Sequence, residues 1–174
     1  MKYVSIDIET TGLNPETCQI IEFGAVAESP QHRGIFHRLI RHSIYQGEPY
    51  AFSMHPKIFK ELADGKGITP EELAPTFHRF LRGCGFSGKI NVAGKNFASF
   101  DAHFLSKLPY WNELIKIRHC ILDPTMLYMY PEDETLPDMQ TCLDRAGIKK
   151  RVTHDAIDDA LDVVALIDWA TNAN

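Results

Sequence analysis

Between residues 4 and 9, Val4, Ile6 and Ile8 alternate with Ser5, Asp7 and Glu9, and this short run restricts the fold more than any other stretch of the chain. Its two-residue period is that of a β-strand with two dissimilar faces, ended by the turn Thr10-Thr11-Gly12-Leu13-Asn14-Pro15. Asp7 and Glu9 then share one face with Cα atoms about 6.5–7 Å apart, where like charges repel unless a cation lies between them. Acidic residues are poor strand formers. Two readings stand: an exposed acidic strand face, or part of a divalent-metal site.

Residues 19–28 and 35–42 are further strand candidates rich in Ile, Val, Phe and Leu, so the first 42 residues read as an antiparallel meander. Helical signals dominate afterwards. Ile58, Phe59 and Leu62 fit one short helix. Thr69-Pro70-Glu71-Glu72 has the form of a capping box, and Pro75 is expected to restart a helix carrying Phe77, Phe80, Leu81 and Cys84. Residues 89–93 read as a buried strand leading through Gly94-Lys95-Asn96 into a helix with Asp101, Phe104 and Leu105. Residues 120–122 read as a last short strand, capped by Asp123-Pro124 into another helix. Residues 137–146, stopped by Gly147, carry both helix end signals, and Ile157, Ala160, Leu161, Val164 and Ile167 recur at the spacing of an amphipathic C-terminal helix. Strands first and strand–helix alternation afterwards predict an α/β chain with a mixed five-stranded sheet flanked by helices.

At 174 residues, 44% apolar and 24% charged, the chain has ordinary globular composition and is expected to form one domain, 1–174, that needs neither a disulfide nor a structural metal to fold. Cys18, Cys84, Cys120 and Cys142 form no C-x-x-C pair and are expected to be reduced packing residues. The N-terminus reaches a charge too early for a secretory signal, and no apolar run approaches the ~18 residues of a membrane span. A soluble, cytoplasmic chain with no membrane partner is therefore expected. The 18 basic and 23 acidic side chains, formal net charge −5, exclude a protein that holds nucleic acid by bulk positive charge. A phosphate-bearing partner must be met locally.

His154 precedes a second acidic cluster, Asp155, Asp158, Asp159 and Asp162, which falls on one face of the last helix opposite its apolar stripe. Near a helix N-terminus such a cluster is ordinary as a solvated, dipole-favoured face, and helical phase alone does not choose between Asp158 and Asp159. Asp101 opens a helix directly after a buried strand, where an Asp is ordinary by propensity and where α/β active sites also gather.

Three segments occur in this order: Asp7-Ile8-Glu9-Thr10-Thr11-Gly12-Leu13, Asn96-Phe97-Ala98-Ser99-Phe100-Asp101 and His154-Asp155-Ala156-Ile157-Asp158-Asp159-Ala160. In order and spacing they resemble the motifs of the DEDD 3′–5′ exonucleases of the ribonuclease H-like fold. His154, five residues before Asp159, places the resemblance in the histidine-type branch with proofreading exonuclease subunits, oligoribonuclease and ribonuclease T. A tyrosine-type member would carry Tyr where Asp155 stands. The family pattern selects Asp159 over Asp158, and Thr11 is closer to proofreading-type members than to the D-x-E-M-T-G of oligoribonucleases. Asn96 departs from the pattern, standing five rather than four residues before Asp101. Ser53-Met54-His55-Pro56 matches only loosely the segment that in relatives wedges against the terminal bases.

The resemblance implies a catalytic set of Asp7, Glu9, Asp101, His154 and Asp159. The four carboxylates would hold two divalent cations, Mg²⁺ or Mn²⁺, with Asp7 bridging them and His154 serving as general base. Thr10, Gly12 and Leu13 would meet the 3′-terminal nucleotide of a single-stranded or frayed end, and nucleoside 5′-monophosphates would be released. A polymerase or other replication or repair partner fits the same resemblance. Lys149-Lys150-Arg151 reads as a solvated loop, with phosphate binding as its alternative. The rival readings are an RNA-trimming enzyme of the same family and a non-catalytic nucleic-acid-binding or polymerase-scaffold domain.

Overall fold

The computed structural model describes residues 1–172. Strands β1 (Tyr3–Thr10), β2 (Ile20–Ser29) and β3 (His32–Leu39) run antiparallel, and β4 (Ile90–Ala93) and β5 (Ile117–Leu122) join parallel to β1. The sheet order is β3-β2-β1-β4-β5, the mixed five-stranded sheet expected from the sequence. Helices α1 (Pro49–Met54), α2 (Pro56–Ala63) and α3 (Pro70–Gly83) separate β3 from β4, and α4 (Asp101–Leu105) and α5 (Trp111–Leu114) separate β4 from β5. A single 3-10 turn (Pro124–Leu127), α6 (Met139–Arg145) and α7 (Ala156–Asn172) complete the described chain.

Alternation along β1 gives each face of the sheet its own core. Val4, Ile6 and Ile8 join Phe23 and Phe36 against Leu73, Phe77 and Leu81 of α3 and Trp111 of α5. Phe23, Phe77 and Trp111 pack with ring centroids 4.9–5.8 Å apart. On the other face Tyr3 and Val26 lie under Ala160, Val163, Val164 and Ile167 of α7, with Leu143 of α6 beside them. Asp7 and Glu9 have the parity of Tyr3, so they emerge beneath the head of α7. Asp7 pairs with Gly24 of β2, and a Cβ on Gly24 would clash with the Ala156 backbone. The missing side chain is what lets the first turn of α7 lie against the strand next to Asp7.

Several elements differ from the sequence reading. Pro75 does not restart a helix, because α3 runs through it from Pro70 to Gly83. The Thr69–Glu72 capping box forms, and Leu73, Ala74, Phe77 and Leu81 make one buried stripe across the proline. Their burial outweighs the ~3 kcal/mol that an interior proline costs. β3 starts at His32 rather than residue 35, since Ser29 pairs with His32 across the two-residue turn Pro30-Gln31. α1, which buries none of its residues, had no apolar pattern to announce it. The helix expected after Asp123-Pro124 is one 3-10 turn, in which the Asp123 carboxylate accepts the Thr125 N–H at 3.0 Å. α6 starts at Met139 rather than 137, capped by Asp138, and Gly147 takes the left-handed conformation just beyond it. All four cysteines are unpaired; Cys18 and Cys142 are buried, whereas Cys120 is exposed on the edge strand β5 and packs no core. No helix among the described residues is long and apolar enough to cross a membrane.

Candidate active site

Asp7, Glu9, Asp101, His154 and Asp159 come from three separate stretches of the chain and line one cleft of about 480 Å³. β1 supplies Asp7 and Glu9. Asp101 is the first residue of α4 and only 3% exposed. The turn that delivers it reverses at Asn96, whose φ of 57° is left-handed and whose N–H donates to the Asp123 carboxylate at 3.0 Å. Asp159 stands in the first turn of α7 and His154 in the segment before it. Lys95, Asn96, Phe100, Met139 and Val152 complete the walls, giving the cleft an apolar side that no charge pattern in the sequence signals.

Burial is the largest cause of the perturbed acidity here. It pushes Glu9 up to about 8, Asp101 to about 7 and Asp159 to about 6, and holds Asp7 well above its ordinary range. Asp101, Asp159 and Glu9 add repulsion at Asp7, and Asp159 and Glu22 add it at Glu9. Backbone hydrogen bonds oppose the shift at Asp101, while His154 and Lys150 ease it at Asp159. The Asp159 Oδ1 atom is buried without a hydrogen-bond partner. An orphaned oxygen among crowded carboxylates is a situation that a divalent cation resolves, and hard oxygen donors suit Mg²⁺ or Mn²⁺. The residues present therefore fit such an ion. One compact set of donors among the described residues is Glu9, His154 and Asp159, with ligand atoms all within 4.8 Å of one another. An imidazole in this set goes beyond the four-carboxylate shell expected from the sequence.

His154 has φ 52°, a left-handed conformation uncommon for a residue with a side chain. It is held from both sides. Before it, Lys150 Nζ binds Asp162 Oδ1 at 2.8 Å and the Val152 N–H donates to Gln140 Oε1 at 3.2 Å. After it, the Ala156 N–H donates to Glu22 Oε2 at 2.9 Å. Lys150 is thus engaged by a buried carboxylate of α7, so neither sequence reading of the 149–151 run describes it.

Two residues that sequence reasoning did not assign to the acidic group stand beside it. His55, at the junction of α1 and α2 and 7% exposed, places Nε2 3.3 Å from Glu9 Oε2. Its burial lowers its pKa, which favours the neutral ring. Glu22 lies directly across from Glu9 on β2 and is 2% exposed. Its signal was an acidic residue between Ile21 and Phe23 in the apolar first half of β2. Of the expected substrate contacts, Thr10 is buried with its hydroxyl on the Gly12 carbonyl at 2.7 Å, and Leu13 is 73% exposed, its N–H on the Glu48 carboxylate at 3.2 Å.

The sheet order and the helices on both faces define a ribonuclease H-like exonuclease fold. The chain belongs to the exonuclease family, whose sequence profile matches residues 4–167. Among solved structures, *Escherichia coli* Exonuclease I bound to a dT13 oligonucleotide superposes with a TM-score of 0.69 at 17% identity, over 98% of this chain and 41% of that one. A zinc-ion-bound *E. coli* Exonuclease I complex with single-stranded DNA gives 0.70 at 19% identity, over 99% and 41%. A moderately thermophilic Exonuclease I from *Methylocaldum szegediense* gives 0.69 at 17%, over 99% and 40%. The chain thus spans about two fifths of the Exonuclease I chains it matches. Among curated proteins there is no significant match.

Proposed function

We propose that the protein is a metal-dependent 3′–5′ exonuclease acting on single-stranded or frayed nucleic-acid ends in the cytoplasm and releasing nucleoside 5′-monophosphates. The observation that carries this reading is the convergence of Asp7, Glu9, Asp101 and Asp159 in one cleft where, ionised together, they repel one another. These four carboxylates would hold two Mg²⁺ or Mn²⁺ ions, which when bound would supply Lewis-acid polarisation and neutralise charge developing at the scissile phosphate. His154 accepts the proton of the attacking water, and its neutral imidazole is the competent form. The water oxygen bonds to phosphorus, the bond to the 3′-oxygen of the shortened chain breaks, and that oxygen takes up a proton. Lys95 at the cleft wall offers its charge to the phosphate, and exposed Leu13 offers an apolar face to the terminal base, with Thr10 and Gly12 shaping the turn that presents it. The oligonucleotide complexes of the *E. coli* Exonuclease I neighbours support a single-stranded DNA substrate. The test is digestion of end-labelled single-stranded DNA and RNA with Mg²⁺, Mn²⁺ or EDTA. Mononucleotides should appear stepwise from the 3′ end only when metal is present. No release with either ion, or release from the 5′ end, refutes the assignment.

A further inference from the structure

β1 and α7 supply most of the acidic site, yet the strand and the helix belong to opposite ends of the chain. The spacing of Asp159 and His154 from Asp7 and Glu9 therefore depends on how the head of α7 seats on the sheet. Two residues of β2 govern that seating. Gly24, opposite Asp7, leaves room for the Ala156 backbone. Glu22, two residues earlier and opposite Glu9, reaches the same point with a side chain: Oε2 accepts the Ala156 N–H at 2.9 Å, and Oε1 meets His37 Nε2 of β3 at 2.7 Å. Directly opposed like charges on neighbouring strands are unfavourable, and Glu22 adds to the repulsion at both Asp7 and Glu9. A fifth carboxylate in this position works against the stability of the metal-free site, and its two hydrogen bonds show what it accomplishes. It satisfies an orphan donor at the helix head from another element, where the helix dipole favours a negative charge.

We propose that Glu22 is a positioning residue of the active site: it ties the first amide of α7 to the strand beside Glu9 and so fixes where Asp159 and His154 stand relative to β1. His37 holds the Glu22 carboxylate from its other oxygen and fixes its rotamer. The inference rests on the exonuclease reading above, and it names a residue outside the acid quartet and its histidine.

Two substitutions separate reach from charge. E22Q keeps the length of the side chain and loses its charge; its carbonyl still accepts the Ala156 N–H. E22D keeps the charge and withdraws it by about 1.5 Å, one carbon–carbon bond, out of reach of the helix amide. Single-turnover cleavage per folded molecule is measured for both, with Mn²⁺ titration, thermal melts and amide hydrogen exchange at Ala156. Positioning predicts that E22D lowers the rate or Mn²⁺ affinity roughly 10–100-fold while E22Q stays within about threefold of the wild type. E22D should also speed exchange at Ala156, and E22Q should leave it protected. The reverse order, with E22Q impaired and E22D active, makes Glu22 an electrostatic partner of the metals and overturns the proposal. Melting temperatures that move while both rates per folded molecule hold reduce Glu22 to a structural residue and overturn it equally. Absence of 3′-end hydrolysis by the wild type refutes the exonuclease reading instead. Even then, unchanged Ala156 exchange in E22D overturns the tether.

Discussion

Stripped of metal, the protein should lose stability as pH rises and regain it when Mn²⁺ or Mg²⁺ is returned. Glu9 shows the sign: its folded value is raised from 4.5 to about 8, so the folded state holds the proton more tightly than the unfolded chain does. Its stabilising contribution is complete below pH 4.5 and is lost as the pH rises through about 8. At about 1.4 kcal/mol per pH unit between the two values, Glu9 alone accounts for about 5 kcal/mol. Asp101, raised from 3.8 to about 7, and Asp159, raised to about 6, act in the same direction. The carboxylates share their repulsion, so these contributions do not sum. For a domain of this length each kcal/mol moves the melting temperature by about 2–4 °C, which gives a fall of roughly 10–20 °C between pH 5 and pH 9 in EDTA. Saturating Mn²⁺ should flatten that slope, because bound cations favour the ionised carboxylates. Asp7→Asn removes one charge from the group. It should raise the metal-free melting temperature at pH 8 while removing nearly all turnover. Thermal melts followed by circular dichroism, with and without EDTA, test both. A metal-free melting temperature that is flat or rises between pH 5 and 9, or a lowered one in the Asp7 variant, refutes the reasoning.

His154→Ala should cut the single-turnover rate by roughly 10²–10⁴-fold, the contribution of a positioned general base, and leave Mn²⁺ affinity unchanged. A parallel loss of affinity in a Mn²⁺ titration would make His154 a ligand with Glu9 and Asp159. Lys150→Met leaves Asp162, whose side chain is 5% exposed, without its cation, and should cost about 3–5 kcal/mol in urea denaturation; adding Asp162→Leu should recover most of it. Gly24→Ala drives a methyl group into the Ala156 backbone and should lower both the melting temperature and the rate, whereas a methyl tolerated without loss would show that α7 can seat elsewhere.

The parts of the fold legible in the sequence are those whose pattern is local and repeated. β1 declared itself by alternation, and α7 by an apolar stripe that persists from Ile157 to Ile167. Asp7, Glu9, Asp101, His154 and Asp159 could be named because ordered motifs surround them, and the fold brings all five to one cleft. Residues whose roles depend on distant partners were not legible. Glu22 meets an amide 134 positions away, His55 reaches Glu9 only because the junction of α1 and α2 returns to the end of β1, and Lys150 finds a carboxylate of a helix that had not yet begun. Pro75 misled for the complementary reason: its local rule was overridden by a buried stripe that becomes visible only once the sheet is in place.

The distribution of unfavourable choices across the molecule has its own logic. In the core between β1 and α3, local preference and packing agree except at Pro75, with apolar positions facing apolar positions and aromatic rings meeting at ordinary spacing. At the end of β1 they disagree repeatedly. Glutamates face each other across Glu9 and Glu22, a histidine takes a left-handed backbone, and a buried aspartate oxygen has no partner. Each runs against local preference, and such conflicts gather where a site rather than the fold sets the residue. Their concentration around one cleft, with hydrogen bonds on both sides of its left-handed histidine, means that the surrounding scaffold holds an arrangement that folding alone would not favour.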